Sequence, residues 1–190
     1  MALYTAVSTV SKNIQELLGR ELVPSLIPSE EYIGFSPPNE REGLMLGIFL
    51  YDIRESDEIK ANQMVIRDYE TMRYPPVYLN LYYMITAYAQ GDAKSKALRE
   101  EMVLGKIIRY FHDNPVVMAQ EKEIPAKMEL MKITMEEKMK LWSLAGMPYK
   151  LSLFYKVSPI TIDSGRIREI SRVTGVEIRI ADGRKELKEE

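Results

Sequence analysis

LMKITMEEKMKLWSLAGMPYKLSLFYKVSPITID, residues 130–163, decides how the rest of the chain is read, because it holds a strand, a short helix with the only tryptophan, and a second long strand. Thr134 followed three residues later by Glu137 is a capping box, which starts a helix at that point. Met135, Met139 and Trp142 fall at i, i+4 and i+7 and give that helix one apolar face. Gly146 and Pro148 end it. From Tyr149 the period changes to two: Tyr149, Leu151, Leu153, Tyr155 and Val157 alternate with Lys150, Ser152, Phe154, Lys156 and Ser158, the pattern of a strand with one buried face. The residues expected in the core are therefore Trp142, Leu151, Leu153 and Tyr155.

Upstream segments read as layers around this unit. Val7, Val10, Ile14, Leu17, Leu18 and Leu22 keep helical spacing up to Pro24, which predicts an amphipathic helix over 6–22. Residues 25–42, with Pro28, Glu30-Glu31 and Pro37-Pro38, form a connection in which Tyr32–Phe35 supplies a short strand. Leu44–Ile53 is almost wholly apolar and predicts a central strand, mid-sheet and covered on both faces. Val65–Met72 mixes apolar and charged residues as an edge strand does, and Pro75-Pro76 closes it. Val77–Tyr88 begins as a strand, with helix the alternative for Met84–Ala89. Leu98, Met102, Ile107, Ile108 and Phe111 mark a helix over 93–111, stopped by His112-Asp113-Asn114-Pro115, and Lys127–Thr134 has the length of a strand. The fold class is α/β or α+β: a mixed β-sheet with helices packed on it, plus a C-terminal hairpin-like extension.

After Asp163 the character changes. Arg166–Val173 and Val176–Ala181 are two β-prone runs separated by Thr174-Gly175, read as a hairpin, although Ile167–Val173 equally fits two turns of helix. The organisation that follows is a domain over 1–164, an extension over 165–183 and a charged tail over 184–190, the last expected to be disordered.

Composition limits what the chain does. Among 190 residues, 26 basic side chains nearly balance 28 acidic ones, so neither nucleic acid nor an anionic membrane is indicated as partner. The absence of cysteine excludes disulfides, thiolate metal sites and cysteine nucleophiles. No apolar run reaches the roughly 18 residues of a membrane span, and Lys12, Glu16 and Arg20 interrupt the place of a signal peptide, so the chain reads as soluble and not exported by the usual signal. No glycine-rich phosphate loop occurs; Gly43 and Gly47 belong to strand packing. His112 is the only imidazole, and a place in the last turn of a helix, against the carbonyl end of the dipole, accounts for it. Adjacent carboxylates such as Glu100-Glu101 and Glu136-Glu137 diverge on a helix instead of converging on a substrate. Twelve tyrosines, many within 69–88, lack the interleaved basic residues of a nucleic-acid platform and suit core and interface use. The residues indicate no catalytic group, metal or cofactor.

YKLSLFYKVSPITIDS (149–164), preceded by ITMEEKMKLWSLAGMP, together with LNLYYMITAYA (79–89), LGKIIRYFHDNPVV (104–117) and LGIFLYDIRES (46–56), resembles the N-terminal domain of the tail terminator, or cap, proteins of extracellular contractile injection systems. The resemblance is collinear over roughly residues 4–164 and so more specific than any one motif. It implies a structural protein without catalytic residues. In that family the domain builds a sixfold ring on the last disc of the inner tube, anchors the final sheath layer and ends polymerisation. The implied partners are further copies of the chain, the tube protein and the sheath protein. The implied location is the bacterial cytoplasm during assembly and then the particle. Family members often run well past this domain, whereas 165–190 is all that follows it here. A ring needs a lateral, heterologous contact. Residues 165–181 are the candidate: strands added to an edge of their own domain or of a neighbouring ring or sheath subunit, with Ile167, Ile170, Val173, Val176, Ile178 and Ile180 setting the register. A hairpin folded back on its own domain is the alternative.

Overall fold

The computed structural model describes residues 4–40, 43–60, 63–66, 71–118 and 125–169. Helix α1 (Ala6–Leu22) comes first, with Ala6, Val10, Ile14, Leu18 and Leu22 buried along one stripe. Strand β1 (Ile33–Phe35) and β2 (Leu46–Glu55) follow, then the short β3 (Val65–Ile66) and β4 (Thr71–Arg73) and the long β5 (Val77–Ala87). Helix α2 (Ala93–Asp113) leads to β6 (Val116–Val117) and β7 (Ala126–Leu130), and α3 (Met135–Leu144) to β8 (Ser152–Ile162) and β9 (Ile167–Glu169).

Six strands form one sheet in the order β1-β2-β5-β8-β7-β6, and β3-β4-β9 form a second. The large sheet is mixed, since β1 runs parallel to β2 and the other pairs are antiparallel. The α1 stripe and Val103, Leu104, Ile107 and Phe111 of α2 pack on one of its faces, against Leu46, Ile48, Leu81, Tyr83, Ile85, Tyr155 and Val157. A hydrogen bond of 2.8 Å between Ser11 Oγ and Tyr83 Oη ties α1 to β5. On the opposite face α3 covers a smaller core of Met84, Tyr88, Trp142 and Phe154. This is the α+β arrangement the sequence indicated.

Two register shifts adjust the parity of the strands. In β2 the extra residue falls at Tyr51, between the pairs Leu50–Tyr83 and Asp52–Tyr82. In β8 it lies between Val157, opposite Leu81, and Ile160, opposite Leu79. Val157 and Ile160 are consequently both in the large core despite their odd spacing.

Several sequence expectations are corrected here. The strand from Tyr149 starts at Ser152, so Leu151 lies before it and is 51% exposed. It is also buried on two faces: Tyr155 and Val157 enter the large core while Phe154 enters the smaller one. On α3, Trp142 is 2% exposed, but Met135 and Met139 are each 51% exposed, because the helix turns Lys138, Leu141 and Trp142 toward the sheet. On α2 the buried positions are Val103, Leu104, Ile107 and Phe111, whereas Leu98, Met102 and Ile108 face outward. The 65–72 segment is two short strands, paired as Val65–Arg73 and Ile66–Met72, instead of one. Residues 84–87 continue β5 and do not turn helical. Strand β2 is not covered throughout: β1 pairs only with Leu46–Ile48, and Ile53, Arg54 and Glu55 are exposed.

Candidate interaction surfaces

Outside the cores the described residues include three exposed surfaces with apolar side chains. The first is the outer half of β2. Met45 accepts a backbone hydrogen bond from Tyr88, 2.8 Å, and Ser56 donates one to Tyr78, 2.8 Å, so these residues direct their backbone groups toward β5. With Tyr51 taking up the odd residue, Ile53 and Glu55 direct theirs the other way. No described strand lies on that side beyond Ile48. On the face opposite Ile53, Arg54 Nε donates to Asp52 Oδ2 at 2.6 Å and the guanidinium lies 5.0 Å above the Tyr82 ring. Tyr51 sits beside them, 6.2 Å from Tyr82 and 6.0 Å from Phe154 between ring centres. Burial pushes its phenol up to about 12, and Asp52 adds to the shift. The result is a strand edge with an exposed isoleucine on one face and an acid–base pair over aromatic rings on the other.

The second is the β3-β4-β9 sheet. It is held to the body by Arg73 and Asp163, whose charged atoms are 2.8 Å apart with both side chains largely covered. Tyr74 N donates to Arg166 O and the Arg166 guanidinium stacks 4.4 Å from the Tyr74 ring. Val65, Ile66 and Ile167 are exposed on this small sheet. A sheet of this size with wet apolar side chains gains from a covering partner.

The third is the outer face of α3, where Met135, Met139 and Leu144 are exposed beside Glu136, Lys140 and Ser143. Sequence periodicity placed Met135 and Met139 against the sheet and so missed them as surface residues. Their angular separation from Trp142 on the helix is small, and which of them is covered depends on the face that α3 turns to the sheet, that of Lys138, Leu141 and Trp142.

The sequence-derived residues fall in different places. Trp142 and Tyr155 are buried, Leu153 packs at the margin of the large core, and Leu151 is exposed. Of the candidate exchange residues, Ile167 lies in β9, which pairs antiparallel with β4 of its own chain as a strand and not as helix. Ile170, Val173, Val176, Ile178 and Ile180 lie outside the described residues, as do the rest of the extension and the charged tail. His112 stands exposed in the last turn of α2, above a groove that also contains Ile108, Pro115 and Leu130. Among the described residues no three His, Cys, Asp or Glu side chains come together to hold a metal. No described helix is long and apolar enough to cross a membrane.

The fold defines the class: an α+β protein with a six-stranded mixed sheet whose β2 edge is partly open. A family model described as the Pvc16 N-terminal domain matches residues 9–175, and the chain belongs to that family. Two cryo-EM structures share the fold. One is the PVC sheath/tube terminator, in the extended state, of an extracellular contractile injection system, with a TM-score of 0.66 and 19% identity over 92% of this chain and 63% of that one. The other is the tube-terminating cap of the anti-feeding prophage, with a TM-score of 0.64 and 18% identity over 90% of this chain and 60% of that one. The chain thus spans under two thirds of the length of either terminator. No curated protein matches by sequence.

Proposed function

We propose that the protein is a tail terminator: a structural cap that closes into a ring, of six copies, on the end of the inner tube of a contractile injection particle. In this role it binds the tube protein with one face, holds the last layer of sheath protein, and stops both polymers from growing. It is made in the bacterial cytoplasm during assembly and then travels as part of the particle. The observation that carries this reading is the terminator fold across 92% of the chain, within a family defined by the same domain.

The physics of the surface supports it. A cap must present lateral contacts that differ from one another, because head-to-tail contacts close rings whereas self-complementary ones give pairs. The open β2 edge and the β3-β4-β9 sheet are two unlike surfaces of this kind. The reading is structural and assigns no catalysis.

Particles assembled with and without the chain test it. The expected outcome is a narrow distribution of tube and sheath lengths with the protein and a broad or abnormal one without it, with the protein found at a tube end by electron microscopy. Unchanged lengths, or a protein that never binds tube ends, would overturn the reading.

A further inference from the structure

We propose that residues Val176–Ile180 of one copy add as an antiparallel strand to the open half of β2 in the next copy, with Ile178 opposite Ile53. The inference rests on the ring reading and names its lateral contact. It concerns residues beyond the family match, which ends at 175.

The two sequences are complementary in one direction only. Asp52-Ile53-Arg54 reads acidic, apolar, basic, and so does Glu177-Ile178-Arg179. Laid antiparallel with Ile53 opposite Ile178, Asp52 meets Arg179 and Arg54 meets Glu177 on the same face, which is the favourable cross-strand arrangement. Laid parallel in that register, Asp52 meets Glu177 and Arg54 meets Arg179, and like charges oppose. A slip of one residue moves the isoleucines to the charged face. A slip of two in one direction sets Arg54 against Arg179. The edge already offers what the incoming strand needs: outward backbone groups at Ile53 and Glu55, a half-exposed Ile53, and the Asp52–Arg54 pair held over Tyr82. Ile53 stands opposite Leu81 of the large core, so Ile178 would extend that core across the boundary.

A ring closes through contacts between copies, so the accepting edge is the neighbour's. Ile167 pairs with Arg73 and Glu169 with Thr71, so the chain leaves β9 at the end of β4 remote from the Arg73–Asp163 tie.

Cross-linking decides the matter, and the chain has no cysteine to interfere. A hydrogen-bonded antiparallel pair sets its Cα atoms about 5.5 Å apart, within disulfide range. The full chain carrying Ile53→Cys and Ile178→Cys, oxidised on tube ends, should give a ladder of covalent oligomers on a non-reducing gel, which neither single variant gives. Adding Arg54→Glu should lower the yield about fivefold, as a lost cross-strand ion pair does, and Glu177→Arg should restore it. An intrachain disulfide, or none, overturns the proposal. Ring formation by the unmodified protein is scored separately: a ring without the interchain link sinks this strand pairing and leaves the terminator reading, whereas absence of a ring sinks that reading itself.

Discussion

Trp142 is the residue on which the smaller core turns. Its indole is 2% exposed between α3 and the sheet, in contact range of Met84, Tyr88 and Phe154, and its Nε1 has no hydrogen-bond partner among the described residues. A large-to-small change there removes the transfer energy of the ring and leaves a cavity. Trp142→Ala should therefore cost about 3 to 5 kcal/mol in denaturant unfolding. Trp142→Phe should cost clearly less, because it keeps most of the packing and deletes a donor that is buried unpaired. As the only tryptophan it also reports its own environment, and its fluorescence should resist aqueous quenchers until the protein unfolds. An indole readily quenched in the native state would place α3 away from the sheet.

At the scale of elements, α3 is short and depends on its cap. Thr134 Oγ1 accepts from Glu137 N at 3.3 Å while Glu137 Oε2 accepts from Thr134 N at 2.8 Å. Thr134→Ala should cost about 1 kcal/mol, read as an early loss of Trp142 burial. The same box gives a pH dependence. The Thr134 backbone N–H, then its hydroxyl, hold the Glu137 carboxyl below its ordinary value of 4.5. A carboxyl depressed in the folded state contributes stability above the unfolded value and loses it as pH falls through the folded one. Acid titration below 4.5 should thus loosen α3, and Glu137→Gln should flatten that limb of the stability curve. By contrast α1 is a single apolar stripe from Ala6 to Leu22 with a proline just beyond, and its extent was legible residue by residue.

For the whole molecule, alkali is the informative perturbant, because phenols sit in both cores. Burial pushes Tyr83 and Tyr155 in the large core, and Tyr51 beside the small one, each up to about 12. In the unfolded chain the same groups ionise near 10. The native state favours the protonated phenol, so its stability is complete below 10 and falls as pH rises from 10 toward 12. Tyrosinate absorbance should show these three groups ionising late and together with global unfolding. Ionisation of these three phenols before any loss of structure would contradict this packing.

What the sequence determined by itself is what local chemistry controls. Helix starts and stops follow from Thr134, Glu137, Pro24 and Pro115, and strands follow from the period of two, since caps, prolines and alternation act within a few residues. The α+β class was legible on that basis, and the family through the collinear resemblance of its motifs. Which face is covered was decided only in the tertiary structure. Met135 and Met139 carry the same apolar character as Trp142, yet the face that α3 turns to the sheet buries only the tryptophan. Leu151 continues the alternation of Leu153 and Tyr155, yet the strand begins one residue later. Likewise β2 looks central by composition, and only the shortness of β1 leaves its outer half open. Exposure depends on what a distant segment brings to the same place, and a single chain's local pattern holds no record of that distance.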